Sequence, residues 1–370
     1  MSDGVQFPLS YELNTRVWLA ELSRRYGYRV TLANVPDEEL QRLNDFHFDV
    51  IWLMGVWQTG SYSRELALRD EELLRYLAKV LPDWTEADII SSPYSVSAYR
   101  VSEDLGGDAG LIAFRDKLHR HSMRLILDFV PNHTAVECPW VRTNPEYYIS
   151  IPAEVLPHVD TASYFTTYDK VLYDRLVGRD IPAIKDHLRA DWNFTQKLVR
   201  FTENHDWPRA TQVFGLNNKV SSLVMFLTPG LRLVHQGQIE GRTQQLSVYL
   251  LRQPAEKGDR EIAAFYERLF AMMNSPAISR GDFSLLEIAG DAVIGFERTY
   301  GGQNRLMCVV NLTERDNETL FATDAFASVR DYREVRLLST ERQRSPQFDL
   351  WPGGITLRLR AHEGLVFCFP

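Results

Sequence analysis

Short apolar runs that break off into polar residues alternate along most of this chain with stretches of helical period. Leu125–Leu127 is one such run, ending in Asp128, Pro131, Asn132 and His133. It is too short and too rich in β-formers for a helix, and predicts a buried parallel strand. Phe48–Met54, which stops at Gly55, and Leu231–His235 have the same character, and a shorter lead at Phe201 runs into Glu203, Asn204, His205 and Asp206. Among these, Val17–Arg24, Asp37–Leu43, Glu71–Val80, Gly110–His121, Ile181–Leu188, Ser221–Leu227 and Ile262–Met273 read as helices. Such alternation predicts an α/β fold with a parallel sheet. From about Phe283 the texture changes to short alternating runs, such as Leu306–Asn311 and Ile355–Leu359, separated by turn signals at Tyr300–Gln303 and Pro352–Gly354. That is the pattern of a small antiparallel β-sandwich. The expected division is an α/β domain over 1–282 and a sandwich over 283–370.

Composition narrows the partners more than the fold. The chain has 370 residues, 45% hydrophobic and 24% charged, with a net charge of −8 and no basic tract. This excludes nucleic acid and anionic membrane as expected partners. No apolar run approaches the roughly 18 residues of a membrane span. Three cysteines, Cys138, Cys308 and Cys368, lack metal-ligand spacing, and their odd number gives no disulfide framework. With no secretory pattern at Met1–Val5, the expectation is a cytoplasmic protein.

Two runs that each close on a histidine and a carboxylate predict a polar site for a hydroxyl-rich ligand, because ligand chemistry gathers at the carboxyl ends of parallel strands. Asp128-x-Val-Pro-Asn-His133 and Glu203-Asn-His-Asp206, together with Ser92–Tyr99 and Pro229–Gln238, resemble the motifs of the α-amylase superfamily of glycoside hydrolases, in the same order, from about Tyr11 to Glu256. The resemblance implies a (β/α) barrel of TIM type followed by a β-sandwich, with an α-linked glucoside or oligosaccharide as ligand. It implies that Tyr94 stacks on the innermost sugar, that His133 and His205 contact its hydroxyls, that Asp128 supports that place, and that Asp206 is the transition-state-stabilising carboxylate. Trp57, in the loop after Phe48–Met54, is a candidate for stacking on a sugar, with packing on its own loop the equal alternative. Asn132 matches a position that helps bind calcium in some amylases. Calcium is left open on that ground, and no other cofactor is expected.

Two carboxylates of the family are not found. A retaining glycosidase needs a nucleophile and a general acid roughly 5–5.5 Å apart. In the family these end the fourth and fifth strands, the first within a GxRxD motif, and the chain contains no GxRxD. Only about 70 residues separate His133 from His205, whereas three strands with their helices need well over 100 at about 30 residues per βαβ unit. The barrel is therefore expected to be incomplete or rearranged, as if a block near Phe165–Thr166 were removed. Glu154, flanked by Pro152 and Pro157, is a weak substitute acid; Asp160 reads as a loop residue, Glu240 as non-catalytic, and Asp169 and Asp174 as structural or solvated. Three readings stand: a protein without glycosidase activity that keeps α-glucoside binding, which carries the most weight; an active α-glycosidase or transglycosylase with substitute carboxylates; and a non-catalytic structural or interaction protein. Missing strands would expose sheet edges, which a second copy of the chain could close as a homo-oligomer.

Overall fold

The computed structural model describes residues 6–148, 168–302, 304–326, 335–340 and 347–369. Its centre is a five-stranded parallel sheet: β1 (Leu9–Asn14), β2 (Val50–Met54), β3 (Arg124–Leu127), β4 (Val199–Phe201) and β5 (Leu231–His235), in the order β3-β2-β1-β5-β4. β1 pairs with β2 from Ser10↔Val50 to Asn14↔Met54 and with β5 from Leu9↔Arg232 to Glu12↔His235. In a closed barrel the first strand lies between the second and the last. That seam is intact here. The opening is on the opposite side, where among the described residues no strand joins β3 to β4, and the sheet is an open portion of a barrel.

The openness accounts for one departure from expectation. Leu125, Ile126 and Leu127 are only half buried, because β3 is an edge strand and not the buried strand its composition suggests. β2 and β5 match their predicted runs closely, whereas β1 is not announced by an apolar run at all. The loop after β2 contains a three-residue strand, Trp57–Thr59, paired antiparallel with Val96–Val101. Phe165–Thr166, Glu154 and Asp160 lie outside the described residues.

Helices pack beside the sheet as βα units require. Thr15–Tyr26 follows β1 directly. Asn14 caps it by accepting from the Val17 amide, and Gly27 ends it at φ 73°, a left-handed position that suits glycine. Gly107–Arg120 precedes β3, and Phe114 and Leu118 enter the main core.

Two antiparallel sheets follow. Asp282–Leu285, Val293–Tyr300, Asn304–Asn311, Arg336–Ser339 and Gly364–Phe369 form one; Asn317–Ala322, Gln347–Trp351 and Gly354–Leu359 form the other. Asn304–Asn311 shows how the layers join. Met307 and Val309 pack between the two sheets, while Leu306, Cys308 and Val310 enter the core shared with the parallel sheet. A strand buried on both faces has to be continuously apolar. The helix Asn218–Leu227 lies between, with every residue except Lys219 buried.

Arg298 fastens this junction. Fully buried, it donates to the carbonyls of Leu227 (3.1 Å), Ile278 (3.1 Å) and Gly281 (2.8 Å). Hydrogen bonds from a charged donor contribute roughly 1.5–3 kcal/mol each and leave costly orphans when removed. Arg298→Met is therefore expected to lower unfolding stability by about 3 kcal/mol in urea titration. A change under about 0.5 kcal/mol would show that the junction does not depend on it.

Candidate functional site

The parallel sheet sends the carboxyl ends of its strands to one face, and β1 supplies that face through period-two alternation. Leu9, Tyr11 and Leu13 enter the apolar core, Ser10 lines a cavity, and Glu12 reaches the histidines at the ends of the neighbouring strands. Glu12 is fully buried. Its Oε1 lies 2.5 Å from His205 Nδ1 and its Oε2 3.0 Å from His235 Nδ1. His235 is the last residue of β5, and His205 follows β4 by a short turn in which Asn204 Oδ1 accepts from the Asp206 and Trp207 amides.

The electrostatics of the pair are reciprocal. Burial opposes the charge on Glu12, but His205 and His235 outweigh it and hold its carboxyl down at about 2. Burial also disfavours the His205 imidazolium, yet Glu12 foremost, then Asp206 and Asp128, push it up to about 9. With Glu12 at Nδ1 and Asp206 3.4 Å from Nε2, the imidazolium form of His205 is favoured at neutral pH. Its other nitrogen, Nε2, is 2.9 Å from the Tyr94 hydroxyl and 3.4 Å from Asp206 Oδ1. The Tyr94 ring lies 5.4 Å from the imidazole at 31°, and Trp52 meets it edge-on at 5.9 Å.

Asp128 is committed to holding the loop after β2. Its Oδ1 accepts from Trp52 Nε1 (2.7 Å), its Oδ2 accepts from the Gly55 amide, and its backbone carbonyl accepts from Trp57 Nε1 (2.8 Å). Gly55 sits at φ 69°, where an added Cβ would fall 2.2 Å from Pro93 Cβ, so only glycine lets the two loops approach. Burial raises the Asp128 carboxyl and these donors oppose it.

A cavity of about 540 Å³ occupies the inner face of the open sheet. Its walls come from β1 (Ser10), β3 (Ile126, Leu127), β4 (Val199) and β5 (Leu231, Leu233), and its rim is Trp52, Tyr94, Asp128, Phe129, Tyr168 and His205. Three residues picked from sequence, Tyr94, Asp128 and His205, therefore meet at one cavity. Asp206 stands beside them, with a side chain 58% exposed. Trp57 lies behind Asp128 and packs edge-on against Tyr99 at 5.3 Å, away from the cavity lining. His133 is exposed on the loop beyond Pro131, and neither it nor Asn132 lines the cavity. Among the described residues no group of three His, Cys, Asp or Glu side chains is clustered to hold a metal ion.

Glu12, Trp52, Tyr168 and His235 escaped sequence reasoning. The available signal for Glu12 was the alternation Leu9-Ser-Tyr-Glu-Leu-Asn14, a strand whose second face is polar. Two further carboxylates near the strand ends, Glu203 and Asp169, are structurally committed. Glu203 accepts from Arg209 Nη1 (2.6 Å) and the Ala210 amide (2.7 Å), and Asp169 caps the helix Lys170–Gly178 while pairing with buried Arg200 and His187.

Comparison with known proteins agrees with this architecture. Residues 37–171 match the family model described as alpha amylase, catalytic domain. The fold is similar to a noncanonic maltogenic alpha-amylase, AmyB, from Thermotoga neapolitana (TM-score 0.70, 16% identity, covering 99% of each chain). It is also similar to alpha-amylase from Geobacillus thermoleovorans in complex with acarbose (TM-score 0.67, 14% identity, 100% of this chain and 99% of that one). A debranching enzyme from Nostoc punctiforme, soaked with acarbose, resembles it too (TM-score 0.65, 15% identity, 99% and 98%). No curated protein matches the chain in sequence. The α-amylase superfamily resemblance and the barrel-plus-sandwich fold class are both borne out, the barrel being open. Among the described residues no helix is long and apolar enough to cross a membrane.

The Glu12–His205 pair makes stability depend on pH in a definite direction. Unfolding returns His205 to about 6.5 and Glu12 to about 4.5. The pair's contribution is full between those values. It is lost toward alkaline pH as His205 deprotonates through about 9, and toward acid as Glu12 protonates through about 2. The melting temperature of the native protein should fall more steeply between about pH 6.5 and pH 9.5 than that of His205→Gln, by differential scanning fluorimetry. Parallel curves would contradict the assignment.

Proposed function

We propose that this α-amylase-superfamily chain binds α-linked glucosides in the open cavity at its strand ends and does not hydrolyse them. The observation that carries the reading is the state of the carboxylates. Retaining hydrolysis needs two, facing each other across the bond with one able to hold a proton. Among the described residues, Glu12 is spent between two histidines, Asp128 holds the β2 loop, and Glu203 and Asp169 are buried in ion pairs. Among these described carboxylates Asp206 stands open beside the cavity. The short chain between His133 and His205 and the missing GxRxD point the same way.

Binding is supported by the rim chemistry. Aromatic faces at Trp52, Tyr94 and Phe129, beside a charged imidazolium and the Asp206 carboxylate, suit a ring that is apolar on its faces and hydroxylated at its edge. The acarbose held by the Geobacillus and Nostoc proteins supports this class of ligand. Within the reading, Tyr94, His205 and Asp206 contact sugar and Asp128 positions the rim. The odd cysteine number accords with a cytoplasmic setting. Among the described residues no strand covers the outer edge of β3, which favours association with a second copy; a monomer by size-exclusion with light scattering would rule that out.

The direct test is turnover of p-nitrophenyl α-glucoside, maltose, sucrose and trehalose beside maltose titration by calorimetry. The expected outcome is no hydrolysis above blank, with maltose bound and its affinity reduced about tenfold or more, roughly 1.4 kcal/mol, by Tyr94→Ala. Turnover that disappears in Asp206→Asn would overturn the reading and make Glu154 the first carboxylate to mutate. Absence of both turnover and binding would favour a structural role.

A further inference from the structure

We infer that Glu12 is a positioning residue that sets the direction of a hydrogen-bond relay, Glu12–His205–Tyr94, and so leaves the Tyr94 hydroxyl to donate into the cavity to an acceptor oxygen of the ligand. The inference deepens the glucoside-binding reading and rests on it for the identity of that ligand.

The argument is one of donors and acceptors. An imidazolium has two N–H donors and no acceptor. One meets the carboxylate of Glu12 at 2.5 Å, and the other, on Nε2, faces the Tyr94 oxygen at 2.9 Å, nearer than its alternative acceptor, Asp206 Oδ1, at 3.4 Å. A phenol oxygen that accepts this bond keeps its own hydrogen for another partner. Tyr94 lines the cavity, and burial together with Asp128, Glu12 and Asp206 holds its phenol well above the usual tyrosine range, so that hydrogen stays in place. Were His205 neutral with Nδ1–H still on Glu12, Nε2 would be an acceptor. Tyr94 would then donate inward and offer the ligand only lone pairs.

The surroundings of His205 all bear on the charge. Glu12 comes from β1, with His235 of β5 on its other oxygen; Asp206 lies on the same turn; Asp128 ends β3; and Tyr94 and Trp52 cover the ring from the preceding loop and β2. Three carboxylates face one imidazole, and only Glu12 is both buried and in contact with Nδ1. Sequence separation of 193 positions makes the pair a product of the β1–β5–β4 sheet order and not of local structure.

The test begins with the unliganded full chain, so that it does not depend on sugar binding. NMR of ¹⁵N-histidine-labelled protein should show both His205 nitrogens protonated through neutrality, with a midpoint near 9. In Glu12→Gln the midpoint should fall by about two pH units or more, a loss of about 100-fold in proton affinity, and Glu12→Asp should recover part of it. Maltose affinity should then drop about tenfold in Glu12→Gln at about pH 8 and recover near pH 5.5, where the imidazole recharges. Tyr94→Phe should cost affinity with the His205 midpoint within about half a unit of wild type. A wild-type midpoint below about 7, or one unmoved in a folded Glu12→Gln, would overturn the relay. If Glu12→Gln does not fold, the wild-type titration and the Tyr94→Phe affinity decide the matter. If maltose does not bind at all, the midpoints still test the relay, and the failure falls on the glucoside reading alone.

Discussion

Leu9–Asn14 is hydrogen-bonded along both of its edges, to β2 on one side and β5 on the other, and runs parallel to both. That double pairing brings the first 130 residues against the stretch beyond Val199. Parallel register then makes the carboxyl ends of all five strands emerge together, which puts Glu12, Asp128, His205 and His235 on one face. The strand satisfies two environments at once. Its odd positions are apolar and fill the layer shared with helices; its even positions are polar, Ser10 and Glu12 supplying the site and Asn14 capping the next helix. A shift of one residue would exchange the two sets and bury Leu, Tyr and Leu where Glu12 meets its histidines.

Because the described strands do not close into a barrel, their inner face lines a cavity in place of the packed column of side chains that fills a complete barrel. The cost of charge in such a place is met locally. A carboxylate between two imidazoles is tolerated in a buried setting because each of its oxygens faces a ring nitrogen, and it in turn favours the charged form of His205. The same arrangement removes Glu12 from any chemistry that needs a free carboxyl group.

Much of the fold was legible in the sequence, because continuous apolar runs and helical periods survive wherever an element is buried on a regular face. β2, β5 and the helix Ile181–Leu188 coincide with their runs. β1 did not show, since Ser10, Glu12 and Asn14 interrupt it with the polarity that makes it useful. The site was half legible. Tyr94, Asp128 and His205 line one cavity, but the motif residues His133 and Asn132 pass Pro131 onto an exposed loop. Neighbours within a motif can thus part in space at a single chain turn. Glu12 and His235, far apart in sequence, meet only through strand pairing that no local pattern encodes.

The seam between the first and last strands also has a consequence for the order of events during synthesis. The Asn14 amide donates to Gln236 Oε1, 222 positions later, so β1 leaves the ribosome long before one of its partners exists. At about 5–20 residues per second, the strand waits on the order of ten seconds or more with one edge open and Glu12 without its histidines. Completion of the parallel sheet therefore waits for the second half of the chain. Until then β1 has only β2 to pair with, and its β5 edge stays open.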